Sequence, residues 1–164
     1  MRGCAAATAA TASRVIPKDK ATPAIWGLQR DYIASTLAYF KLGFPTNEQM
    51  AASIRDLDSF DAISAHYAQK QWPDLQQPPA SSEIAQRAEQ LISKGGCTTS
   101  GCHVGFVGEP GRPRIAGQSS EYLKAAITAF RDKTRAHAFM QNAVRDLSDG
   151  DIQVLATYLA GLKR

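Results

Sequence analysis

A chain of 164 residues has room for one ordinary domain or for two small ones of about 80 residues, near the lower limit at which a core stabilises itself. Hydrophobic residues make up 44% and charged residues 21%, the balance of a globular chain, and no apolar run is long enough to span a bilayer. The formal charge of +4 divides into +1 for residues 1–80 and +3 for residues 81–164, and no basic run interleaved with aromatics marks a nucleic-acid surface.

Residues 1–13 contain Arg2 and Cys4 and then only Ala, Thr and Ser. Alanine mixed with threonine is too polar for the apolar heart of a secretory signal, so this reads as a low-complexity arm expected to be mobile. From residue 23 onward one unit is written twice. Residues 23–57 and 113–147 align without a gap at an offset of 90, with nine identical pairs, among them Gly27/Gly117, Tyr32/Tyr122, Phe40/Phe130 and Met50/Met140.

In the first copy Ile33, Leu37 and Phe40 share one face at helical spacing, as Leu123, Ile127 and Phe130 do in the second. Thr46-x-x-Gln49 offers a capping box for a short helix carrying Met50 and Ile54, and Asp58 is placed to start the next, with Ile63 and Tyr67. The first unit ends near Gln71. Trp72 to Ser82, with Pro73, Pro78 and Pro79, reads as a linker because proline at that density breaks helix and strand alike. Ser82 opens a helix with Ile84, Ala88, Leu91 and Ile92 on one face, stopped by Gly95-Gly96. Ser148-x-x-Asp151 caps a last helix with Ile152, Leu155, Leu159 and Leu162 inward, and Lys163 and Arg164 complement its C-terminal dipole. No stretch alternates with period two, so the predicted class is all-α.

Directly after the glycine pair comes Cys97-Thr98-Thr99-Ser100-Gly101-Cys102-His103. Two thiols next to an imidazole form the pattern of covalent haem attachment, in which the cysteines add to the haem vinyl groups and the histidine ligates iron. The usual spacing has two residues between the cysteines; here there are four, and Gly101 supplies freedom for the longer loop to fold back. A disulfide beside a bystander histidine, or part of a zinc site, remains open on these residues alone. Zinc would need a fourth ligand, and Cys4, His66 and His137 are scattered.

The helix running into the cysteine motif, then Pro113-Arg-Ile-Ala-Gly-Gln-Ser-Ser-Glu-Tyr-Leu123, a basic loop, Met140, Leu147-Ser148 and a terminal helix with Tyr158-Leu159 together resemble the class I c-type cytochromes. The likeness covers residues 82–164. The tandem copies resemble the two-domain bacterial members, including dihaem cytochromes and the haem subunit of flavocytochrome c sulfide dehydrogenase. This resemblance implies two tandem cytochrome c-like helical domains. Residues 1–71 would be a haemless, degenerate copy with its arm, 72–82 a Pro-rich linker and 83–164 the haem-binding domain.

Carried over position by position, the resemblance implies one haem c, bound through Cys97 and Cys102, with His103 the proximal and Met140 the distal iron ligand. His137 is the rival for the distal place. Pro113 would accept from the His103 ring, and Tyr122 and Arg135 would meet the haem propionates. Arg112, Arg114, Lys124, Arg131, Lys133 and Arg135 would surround the site with positive charge.

The offset of 90 sets Ala7, Ala12 and Ser13 opposite Cys97, Cys102 and His103, so a first haem motif is missing, with a second haem left open. Trp26, opposite Ala116, and the aromatics Tyr39 and Phe44 are expected to fill the space such a cofactor would take. The implied function is single-electron transfer, by a carrier or by the cytochrome subunit of a periplasmic dehydrogenase complex such as a sulfide-oxidising flavocytochrome. A redox protein, with a flavoprotein dehydrogenase subunit as one candidate, is the expected partner. The alternative is a haem enzyme or gas sensor with an open distal position. Covalent haem attachment also implies export, with a signal already removed.

Overall fold

The structure, a computed structural model, describes residue 17 and residues 19–44, 47–98 and 102–164. The amphipathic stripes form helices where expected: α1 is Arg30–Lys41, with Ile33 and Leu37 buried, and α5 is Ser120–Arg131, with Leu123 and Ile127 buried. Between and after them lie α2 Glu48–Ile54, α3 Asp61–Ala68, α4 Ser82–Gly95, α6 Ala138–Val144 and α7 Asp149–Gly161, with a single 3-10 turn at Val104–Phe106. Among the described residues there is no strand, only an isolated bridge between Glu109 and Arg112. The all-α class predicted from periodicity is the class observed.

Among the described residues there are two apolar cores. The first gathers Leu28, Ile33, Leu37 and Ile54, ringed by half-buried Tyr32, Phe40, Met50, Ile63, Tyr67 and Trp72. The second is larger and centres on α7, against which both α4 and α5 pack, with Ile152 fully buried beside Ala88, Leu91, Leu123 and Leu155. Burying such side chains contributes roughly 1.5–3 kcal/mol each, so the second core is the better supplied.

Several local expectations need correction. α4 opens at Ser82 as expected, and Ser81 caps it, its hydroxyl accepting from the Ile84 N–H. Gly96 ends the helix in the left-handed region at φ +63°, as the glycine pair predicts. Thr46 lies outside the described residues, and the side chain that caps α2 is Asn47, accepting from the Met50 N–H. Asp58 does not start α3, where the Ser59 hydroxyl accepts from the Asp61 N–H instead. Tyr39 and Phe44 are 59% and 61% exposed and fill nothing. Trp26 is half-buried at the surface with the Lys70 ammonium 5.7 Å over its ring, and the tryptophan that packs on the first core is Trp72, from the linker.

The last helix does form the expected capping box of Ser148 and Asp151. Beyond its end, Lys163 pairs with Asp74 of the linker at 2.8 Å, and the Arg164 guanidinium lies 5.6 Å over the Phe106 ring, so neither serves the helix dipole alone.

The two cores are joined by polar contacts. Gln118 is 2% exposed, its Oε1 accepts from the Ala24 N–H at 3.0 Å, and its Nε2 donates to the Ala24 carbonyl at 2.9 Å. Arg114 stacks on Trp72 at 4.8 Å. The linker passes so close to α7 that a Cβ on Gly161 would stand 2.7 Å from the Pro78 carbonyl oxygen.

The repeat is visible in its glycines. Gly27 and Gly117 both adopt left-handed backbone, at φ +73° and +71°. A Cβ at Gly27 would stand 3.0 Å from the Lys70 carbonyl oxygen and 3.1 Å from the Trp72 nitrogen. Gly27→Ala should therefore cost about 1–3 kcal/mol, read as a lower denaturant midpoint at unchanged slope. Gly43→Ala, at φ +83° with nothing within 4 Å, should cost only the backbone term of about 1 kcal/mol. Equal losses at the two positions would show that crowding plays no part.

Candidate functional site

The end of α4 aims the cysteine motif. With Gly96 in the left-handed region, the Cys97 N–H reaches back to the Ile92 carbonyl at 3.0 Å, which turns the chain and sets Cys97 against the second core. The segment closes on itself where the His103 N–H donates to the Cys97 carbonyl at 2.9 Å. Gly101, expected to ease that loop, lies outside the described residues, as do residues 1–13 with Cys4, Ala7, Ala12 and Ser13. Cys97 and Cys102 are half-buried and not joined to each other. Burial, reinforced by the neighbouring Cys102, pushes the Cys97 thiol up.

His103 is oriented from behind. Its Nδ1 stands 3.3 Å from the Pro113 carbonyl oxygen, which can only accept. The proton therefore belongs on Nδ1, leaving the Nε2 lone pair free for a metal. Burial pulls the His103 pKa down, the bond to Pro113 opposes it, and Arg112 and His137 lower it further. A neutral imidazole with one nitrogen tied is the form that ligates iron. The loop carrying Pro113 is pinned by Phe106, whose carbonyl accepts from the N–H groups of both Ile115 and Ala116 at 3.0 Å.

Met140 sits in α6, packed against the same core as Cys97. α4 and α6 come close: a Cβ on Gly95 would lie 3.3 Å from both the Ala143 carbonyl oxygen and the Cys97 sulfur. His137, the rival ligand, is the cap of α6, its Nδ1 accepting from the Met140 N–H at 3.3 Å while its ring lies near Phe130 and Phe139. Asn47 does the same for Met50 ninety residues earlier, so the two caps are counterparts in the repeat.

Tyr122 and Arg135 are brought together, and a third residue joins them that sequence reasoning did not single out. Arg135 donates from Nη1 to the Tyr122 hydroxyl at 3.4 Å and from Nη2 to the Tyr32 hydroxyl at 3.3 Å. Tyr32 belongs to the first half; its identity with Tyr122 in the repeat was the only signal of a shared role. Burial raises the Tyr122 pKa, keeping the phenol neutral.

The expected ring of positive charge is thinner than its residue count. Arg131 is held by Asp132 at 2.8 Å and Asp149 at 2.6 Å, whereas Arg114, stacked on Trp72, keeps its charge. Among the described residues, no group of three or more His, Cys, Asp or Glu is gathered to hold a bare metal ion. The donors present fit a haem instead: two thiols, a neutral imidazole with a free nitrogen and a thioether, each suited to one point of that group.

No protein-family model matches the chain. Cytochrome c4 of Thiocapsa roseopersicina is 31% identical, over 87% of this chain and 79% of its own length. The thiosulfate dehydrogenase electron acceptor of Thiomonas intermedia (strain K12) is 28% identical, over 84% of this chain and 69% of its own. Among solved structures, cytochrome c4 of Acidithiobacillus ferrooxidans superposes with a TM-score of 0.76 over 88% of this chain and 91% of that one, at 21% identity, a likeness of fold.

Proposed function

The chain belongs to the cytochrome c4 family, and from that premise we propose that Cys97 and Cys102 would carry its haem, with His103 and Met140 supplying the ligands to its iron. It is an electron-transfer cytochrome with covalently bound haem c, a carrier of electrons rather than an enzyme, built as two tandem all-α cytochrome c-like domains. The haem supplies the one-electron couple. This chain's residues would do the rest: the cysteines would fix the group in place, Pro113 would hold the His103 ring, the apolar core around α7 would keep water away, and Arg135 with Tyr122 would meet the propionates.

The observation that carries the assignment is the His103 Nδ1 to Pro113 carbonyl contact at 3.3 Å. It leaves the Nε2 lone pair of the imidazole available to ligate iron. The offset of the repeat puts no cysteine or histidine at the matching places of the first half, and one haem per chain is the expected load. Intact mass with a pyridine haemochrome assay tests both points. One haem should be found, and Cys97→Ala with Cys102→Ala should abolish covalent attachment. Two haems per chain would make the protein a dihaem relay and overturn the haemless reading of residues 1–71.

A dehydrogenase is the proposed redox partner, supported by the likeness to an electron acceptor of thiosulfate dehydrogenase; a flavoprotein would be one member of that class. In this reading the first half is a docking or spacing unit, joined to residues 83–164 through the linker 72–82. The cysteine chemistry supports an exported, periplasmic protein.

A further inference from the structure

Arg135 is a half-buried cation with an unusual set of neighbours. Its two terminal nitrogens go to two phenols, its plane lies 4.7 Å over the Phe130 ring, and among the described residues no carboxylate pairs with it. Its backbone is pinned on both sides, the N–H donating to the Ala129 carbonyl at 2.9 Å and the carbonyl accepting from Gln141 Nε2 at 3.0 Å. A guanidinium so confined keeps its charge, but neutral phenols do not cancel it. Two of its N–H groups are assigned to the phenols, and the charge is left for an anion to meet. One of those two is held by the other half of the molecule.

We infer that Tyr32 is a positioning residue: by holding Arg135 Nη2 it aims the guanidinium at the haem propionates, so that the first half sets the reduction potential of a haem it does not bind. The inference rests on the propionate role proposed for Arg135. Reduction adds an electron to the haem, and a nearby fixed positive charge favours it; letting that charge swing toward solvent weakens the effect. Tyr32 thus gives the haemless half an electrostatic role. The contact survives only while the halves stay docked, which the paired bonds between Gln118 and Ala24 secure.

Potentiometric titration of the full-length holoprotein tests this with three variants: Tyr32→Phe, Arg135→Gln and the double substitution. Arg135→Gln should lower the potential, Tyr32→Phe should lower it by a smaller amount, and in the Arg135→Gln background Tyr32→Phe should add nothing. In Tyr32→Phe the pH midpoint of the potential should also rise, because propionates that lose a cation ionise less readily. Loss of a merely structural hydroxyl would change thermal stability and leave both quantities in place. An unchanged potential in Tyr32→Phe, with Arg135→Gln lowered, overturns the inference and leaves the propionate reading standing. If neither variant moves the potential, both fall. Equal shifts in the two backgrounds would mean that Tyr32 acts without Arg135, which also overturns it.

Discussion

Met140→Ala should abolish the far-red absorption band of the oxidised protein and lower its reduction potential. Thioether sulfur is a soft ligand that stabilises the reduced iron, so its loss should shift the potential on the order of 0.1–0.3 V, within the roughly 0.8 V that axial ligation spans. The substitution removes apolar contact with the second core but leaves the start of α6 intact. The α6 cap runs from the Met140 backbone N–H to His137, not through the side chain, and alanine keeps the helix. Haem attachment, which uses Cys97 and Cys102, should persist. A far-red band that survives in Met140→Ala would assign the distal ligand elsewhere.

Gln118→Ala should cost about 2–5 kcal/mol in the denaturant unfolding of the whole chain, a large effect for one polar side chain. The amide satisfies both backbone groups of Ala24, which is 1% exposed, and its Oε1 also accepts from the Ser119 N–H at 2.9 Å. Removing it strands two donors, the Ala24 and Ser119 N–H groups, and one acceptor, the Ala24 carbonyl, at roughly 1–3 kcal/mol each before water enters the space the amide leaves. Because these bonds link the halves, the variant should also unfold in two steps where the parent unfolds in one. A single transition at the parental midpoint would show that Ala24 and Gln118 do not couple the halves.

What could be read from the chain alone follows the range of the interactions involved. The stripes of α1 and α5, the glycine stop after α4 and the Ser148 to Asp151 box are written within one or two helical turns, and periodicity or cap chemistry exposes them. His137 as a cap was not legible, since histidine is a poor statistical N-cap and its place beside Met140 invites a ligand reading. Tyr39 and Phe44 looked like core because they are aromatic, but nothing in a sequence says that the last turn of α1 and the loop after it are left uncovered. The bridges from Gln118 to Ala24 and from Tyr32 to Arg135 span 94 and 103 residues and join polar groups, which leave no apolar period to detect. The cysteine motif was legible because it is contiguous; the Pro113 carbonyl behind His103 came only through resemblance. Counting Arg131 toward a positive field ignored the Asp132 and Asp149 carboxylates that engage it.

The second core closes between its own ends, Ala88 on α4 meeting Ile152 on α7 across 64 residues of chain. During synthesis α4 and the segment Cys97–His103 therefore emerge before the helix that will cover them exists. Loop closure over that length cannot begin earlier, so the thiols are first presented to their surroundings on an unpaired helix end. The order of events is set by topology: the cysteines are accessible first, and the core that half-buries Cys97 is completed last.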